Sequence, residues 1–269
     1  MRKLASCLLR LVALAALPLA ALPLAAHAGE AAAAQATAEE QKPVDWESWH
    51  AGNSVSDLAS LQRGARNFMN YCNGCHAIKY MRYQRMADDL KIPAAALAKE
   101  LVAPGSHPLD YITTSMPPAD AVNWFGKVPP DLSLITRSKG TDYVYRLFKT
   151  FYADPTSATG TNNLAYPGLA MPAVLSALSG VNEAVFNQGK DGIKTFDHFE
   201  PLVAGSLTAQ QYDQFVRDTV NFLDYVGEPV QVDRVFIGIW VVLFLVLLTW
   251  LSLLLKNEYW KDVHRSLSE

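Results

Sequence analysis

The sequence predicts a mainly α-helical domain with long loops, followed by one C-terminal transmembrane helix. Three observations carry that expectation. Apolar residues recur at helical spacing in two well-separated stretches, around 58–72 and 212–226. The chain as a whole holds 15 Pro and 15 Gly, with no strand-rich stretch and no internal repeat. Near the C-terminus, the 21 residues Val235–Leu255 carry no charge.

The N-terminus reads "MRKLASCLLRLVALAALPLAALPLAAHAGE". Arg2 and Lys3 give a basic start, an apolar stretch follows, and Ala26 to Ala28 offer a small-x-small cleavage pattern. Residues 1–28 are therefore expected to be a secretory signal peptide. "LASC" (Leu4–Cys7) looks like a lipoprotein site but precedes any apolar region. Cys7 would leave with the signal peptide. Residues 29–56 are expected to form a leader, Ala/Glu-rich over 29–42, and Trp46 and Trp49 that follow are expected to pin it to the domain.

The domain proper is expected over 57–230. Leu58, Leu61, Ala65, Phe68, Met69 and Cys72 share one helical face, and Asp57 or Ser56 can cap that helix. Gly64 lies on the same face. There it weakens the helix but lets another backbone come close. A matching helix is expected from "LTAQQYDQFVRDTVNFLDYVGEP". Thr208 and Gln211 fit a capping box, and Gly227 with Pro229 stops it. Further helices are expected at about Tyr143–Phe151, over Ala87–Leu101 and over Pro130–Ile135. The segment 235–255 spans roughly 32 Å at about 1.5 Å per residue, enough for a bilayer core of about 30 Å. Lys256, Lys261 and Arg265 follow it in the tail 256–269. With the signal peptide, they predict a single-pass bacterial inner-membrane protein with its domain in the periplasm and its C-terminus in the cytoplasm.

Within the first helix-end stands "MNYCNGCHAIKY", Met69–Tyr80. Cys-x-x-Cys opens redox dithiols, zinc half-sites and c-type haem attachments alike. A zinc site wants a second pair of soft ligands, and the mature chain has no other cysteine. A redox dithiol belongs near a βαβ pattern, and none is visible. The histidine directly after the second cysteine selects covalent haem c. Cys72 and Cys75 add to the vinyl groups and His76 supplies one axial bond. For the other axial position, Met69, Met81 and Met86 lie too near the attachment, and His264 lies beyond the anchor. Met116, Met171, His50, His107 and His198 remain, and composition does not choose among them.

Three out of 23 Lys and Arg fall in residues 1–28 and three in the tail, which also holds three of the 26 Asp and Glu. Residues 29–234 thus carry 17 basic against 23 acidic side chains, a net of −6. That balance disfavours nucleic acid and suits a basic protein partner.

The segments "RGARNFMNYCNGCHAIKYMRY", "VPPDLSLITRSKGTDYVYRLF" and "NNLAYPGLAMP", in that order and followed by one C-terminal anchor, resemble the cytochrome c1 family. These are the haem subunits of ubiquinol–cytochrome c reductase, the cytochrome bc1 complex. The resemblance implies a cytochrome c-like haem domain. It makes Met171 the second axial ligand, places Pro130 against the haem, and puts Arg137 near a propionate with Tyr143 close by. It also implies cytochrome b beside the anchor, a Rieske iron–sulfur protein as donor and a cytochrome c as acceptor. The chain would then be a redox carrier with no substrate site of its own. A stand-alone membrane-anchored mono-haem carrier is the alternative. Some members carry an extra disulfide, for which this chain has no spare cysteine.

Overall fold

In a computed structural model, residues 44–188 and 194–266 are described, with side chains to residue 261. The expected signal peptide, Cys7 and most of the leader lie outside the described residues.

The frame is a pair of crossing helices, α1 (Leu58–Tyr71) and α8 (Ala209–Gly227). Both start as the residues dictate. Asp57 accepts a hydrogen bond from Ser60 N–H at 3.1 Å, and Thr208 with Gln211 closes a reciprocal capping box. Gly64 is where the two backbones meet. A Cβ there would lie 2.0 Å from the Asp218 carbonyl oxygen and 2.6 Å from Phe222 Cβ. Phe68 packs on Phe222 with ring centroids 5.8 Å apart. Beside the contact, Arg63 grips the buried Asp218 carboxylate through Nε and a terminal nitrogen (2.6 and 2.9 Å). Asn67 donates to Thr219 and Phe215 across the same seam.

Between the two helices the chain wraps in short pieces. β1 (Ile78–Arg82) pairs antiparallel with β2 (Tyr111–Ile112), and between them lie α2 (Tyr83–Asp89) and α3 (Ala94–Ala96), which runs into a π-helical turn at Leu97–Leu101. The single helix expected over Ala87–Leu101 is therefore broken, because Pro93 cannot continue α2 and instead starts a new turn. α4 (Pro118–Phe125) ends on Gly126 at φ +73°. α5 (Ile135–Lys139) and α6 (Thr141–Lys149) follow. No helix covers Pro130–Ile135; helical structure begins only at Ile135. β3 (Phe151–Ala153) pairs with β4 (Thr161–Asn163), and α7 (Ser176–Ser179) leads into a hairpin.

That hairpin corrects the expectation of no strand-rich stretch. β5 (Gly180–Gln188) and β6 (Lys194–Ala204) pair along their length. Opposite β5, β6 accommodates extra residues at two points, between the pairs Val181↔Val203 and Asn182↔Pro201 and between Val185↔His198 and Phe186↔Phe196. Each extra residue flips the faces that follow, which erases the period-two signal. The described chain remains mainly helical. Trp49 packs against the core, and Arg146 Nε donates to its carbonyl at 2.8 Å.

α9 (Gln231–Ser266) contains the expected anchor. Its stretch Gln231–Lys261 is long and apolar enough to cross a membrane.

Candidate functional site

The end of α1 winds the predicted attachment motif into one more turn. Cys72 and Asn73 N–H both donate to Phe68 O at 2.9 Å, and Cys75 and His76 N–H donate to Cys72 O at 3.0 and 2.8 Å. Two thiols and an imidazole are thereby held within five residues on one backbone turn. Asn73 and Thr114 stitch the turn to the segment that follows β2, through Thr113 O and Gly74 O. No disulfide joins Cys72 to Cys75. Burial, reinforced by neighbouring Cys75, pushes the Cys72 thiol up to about 12.

A loop from residue 128 to 134 lies against this turn. Pro129 and Pro130 lack N–H groups and hold an extended path that leaves their carbonyls free to accept. The Pro130 carbonyl sits 2.8 Å from His76 Nδ1. A carbonyl can only accept, so Nδ1 carries the proton and Nε2 keeps its lone pair. Asp131 fastens the loop by accepting from Lys79 N–H (2.9 Å) and Ser133 N–H (3.0 Å). Burial holds the His76 imidazole below its ordinary value, opposed by the Pro130 carbonyl and the Asp131 charge. The ring is a neutral base available to a metal.

Met171 arrives on a second loop, shaped by two asparagines. Asn163, fully buried, accepts from Ala165 N–H (3.0 Å) and Tyr166 N–H (3.1 Å) and donates to Leu147 O (2.7 Å). Asn162 accepts from Gly168 N–H at 2.9 Å. Pro167 followed by Gly168 at φ +75° then turns the chain back.

Cys72, Cys75, His76, Pro130, Tyr143 and Met171 all line one cavity of about 410 Å³. That volume lies in the range of about 300–1,000 Å³ usual for cofactor sites. Its other walls are mostly apolar, from Phe125 and Leu132 on one part to Leu169 and Leu223 on another. A flat apolar group with two covalent tethers and a metal centre fits these donors. Thiols stand at its edge, an imidazole nitrogen has its partner fixed, and a thioether borders the same space.

The remaining candidates lie elsewhere. Met116 N–H donates to Thr114, and Met81 and Met86 are core residues. His50 bonds Asp142, and His198 bonds Asp197. His107 lies 3.6 Å from Asp110. None of them borders the cavity. Arg137 does not either. Its guanidinium donates to Glu228 at 2.8 Å. The cations that do line the cavity are Lys127 and Lys139, each over a tyrosine ring, Tyr166 and Tyr143 (6.0 and 5.9 Å to the centroid). Neither lysine was singled out from the sequence, nor was Asp131, Asn162 or Asn163. The Asn-Asn pair opening "NNLAYPGLAMP" was the one available signal, since Asn side chains favour bonding to nearby backbone in turns.

A comparison with known proteins agrees with this geometry. The family described as "Cytochrome C1 family" matches residues 48–184 and 204–263. A cytochrome c1 from Allochromatium vinosum is 49% identical over 216 residues, covering 80% of this chain and 88% of the relative. A protein from Nitrosomonas europaea named ammonia monooxygenase gamma subunit is 35% identical over 209 residues, covering 78% of this chain and 86% of the relative. A cytochrome c1 from Rhodospirillum rubrum is 31% identical over 157 residues, covering 51% and 52%. With matches reaching from the attachment turn through the Met171 loop to the anchor, the chain belongs to the cytochrome c1 family, the membrane-anchored haem electron-transfer subunits of bc1-type complexes.

Proposed function

We propose that the chain is the electron-exit subunit of a quinol–cytochrome c reductase, receiving electrons from a Rieske iron–sulfur protein and passing them to a cytochrome c. The observation that carries this is the meeting of Cys72, Cys75, His76 and Met171 around one apolar cavity. Bound there, a haem c supplies reversible one-electron exchange between two iron oxidation states. The chain's own residues set how that happens. Cys72 and Cys75 would tether the group by thioethers, each thiol adding across one vinyl group. His76 offers Nε2 while Pro130 O holds Nδ1 and fixes the ring. Met171 would offer its thioether as a second protein donor, which would leave less room for oxygen and would favour the reduced metal. Lys127 and Lys139 supply the positive charge for the propionates, the role the family resemblance suggested for Arg137. The apolar walls exclude water. No side chain is assigned to quinol, whose oxidation falls to the partners.

On this reading cytochrome b lies against α9, and the haem domain faces the periplasm with its net negative charge toward a basic acceptor. The first test is Met171→Leu. It should keep covalent haem yet lose the weak long-wavelength band that marks methionine ligation of ferric haem, whereas Met116→Leu keeps the band. The reverse result assigns the ligand to Met116. Purification in mild detergent tests the assembly: cytochrome b and the Rieske protein should accompany the chain. Their absence would favour the stand-alone carrier.

A further inference from the structure

The three residues between α8 and α9 carry an ion cluster that joins three elements. α8 ends at Gly227 and α9 begins at Gln231, with Pro229 barring a continuous helix. Glu228, only 17% exposed at its side chain, accepts from two guanidinium groups. Arg137 of α5 reaches it at 2.8 Å. Arg234, in the first turn of α9, reaches it through Nε at 2.5 Å and a terminal nitrogen at 3.2 Å. Against the same spot Thr136 donates to Leu223 O at 3.3 Å. A Cβ on Gly227 would stand 3.0 Å from both Arg137 Cγ and Thr136 Oγ1. α5 therefore sits directly on the end of α8, and two residues of α5, Ile135 and Lys139, line the cofactor cavity.

This arrangement gives Arg137 a use, though not one inside the cavity. A carboxylate bonded to one arginine would do for a helix end. A carboxylate shared between an arginine of the cavity wall and an arginine of the membrane helix ties those two elements together. Among the described residues, few polar ties join α9 to the domain. Gln231, at the first position of α9, has a buried amide oxygen with no hydrogen-bond donor among the described residues. The joint depends accordingly on Glu228.

We propose that Glu228, clamped between Arg137 and Arg234, is a positioning residue that fixes the angle of the anchor helix to the wall of the cofactor cavity, and so the orientation of the haem domain over the membrane. Electron transfer falls steeply with separation, so a fixed orientation sets which partners the cavity mouth can meet. This proposal needs α9 to be the anchor. It does not need the donor and acceptor named under the proposed function.

The test uses the full chain in lipid bilayers with two readouts. Amide exchange follows residues 231–234 and 135–139, and polarised absorption of oriented membranes follows the tilt of the bound haem. Glu228→Ala should speed exchange in both segments by roughly two- to tenfold, as expected for losing a partly buried charge pair at an exposed joint. It should also broaden the haem tilt while leaving covalent haem content and midpoint potential unchanged. Arg234→Ala should broaden the tilt equally, and Arg234→Lys should restore most of it. If Arg234→Ala and Arg137→Ala both leave tilt and exchange as in the wild type, Glu228 merely ends α8 and the proposal fails. Should Glu228→Ala not accumulate, those two variants decide, because both arginine side chains are more than half exposed (55% and 59%) and neither lies in the core.

Discussion

The crossing of α1 and α8 and the β5–β6 hairpin are held by opposite kinds of contact. At the crossing, Gly64, Phe68, Val220 and Phe222 are buried, and Arg63, Asn67 and Asn221 make hydrogen bonds across the seam. In the hairpin most residues are half-buried or exposed. It leans on the domain through an edge-to-face contact of Phe186 with Tyr152, continued by Phe196 and Phe199. The family match runs through the first region and stops between residues 184 and 204, within the second. The difference teaches where the cavity gets its rigidity. α1 delivers the Cys72–His76 turn and α8 delivers Leu223 to the cavity wall. No described residue of the hairpin lines that wall.

The largest break in this contrast should come from Gly64→Ala. Its new Cβ meets backbone at 2.0 Å, so the helices must separate and lose about 3 kcal/mol. Chemical denaturation of the domain should show the loss, and a change below about 1 kcal/mol would mean the crossing is looser than described.

A smaller effect should separate the two regions by pH. In α8, burial raises the Asp213 carboxyl, but hydrogen bonds from Lys149, Tyr145 and Arg217 outweigh it and hold the group down to about 2. Its folded value lies below the ordinary 3.8, so the network's contribution is present above about pH 4 and lost as pH falls toward 2. Asp213→Asn should be less stable than wild type at neutral pH, with the gap closing across that acid window. In the hairpin, hydrogen bonding to Asp197 raises His198 above its ordinary 6.5. That contribution is present below 6.5 and lost as pH climbs through the raised value. Thermal melts of Asp213→Asn and His198→Ala against pH should therefore diverge from wild type on opposite sides.

The smallest effect should follow from shortening the hairpin. Glu183 and Glu200 stand directly opposite each other, so an Asn-Gly turn can join them in place of residues 184–199. Haem content and spectrum should be unchanged and stability within about 1 kcal/mol of wild type, since closing a shorter loop offsets part of the lost contact. A lost methionine band would show that the hairpin supports the Met171 loop after all.

How much was legible follows the range of the interactions. Asp57, the Thr208–Gln211 box and the five-residue attachment motif act within one turn, so their sequence spacing is already their geometry. Gly64 on an apolar face announced a close approach without saying what approached. The hairpin escaped because its two irregularities break the alternation on which strand recognition depends. Arg137 and Lys139 show the same limit at the site. Two positions apart on a helix they point about 200° apart. With a helix expected over Pro130–Ile135, nothing in the sequence told which of them faces the cavity. α5 starting at Ile135 turned Lys139 inward and Arg137 toward Glu228.

The sequence by itself determined the Cys72–His76 turn, the two long helices with their caps, and the apolar span of α9, because local hydrogen bonding and burial period specify each of these. Only the tertiary structure decided that the Pro130 carbonyl orients His76 across 54 residues, and that two asparagines bring the Met171 loop to the same cavity. It alone also showed that Glu228 joins cavity wall and anchor. Those contacts form between segments whose separation along the chain carries no information about their distance in space, until the α1–α8 crossing fixes where each loop must pass.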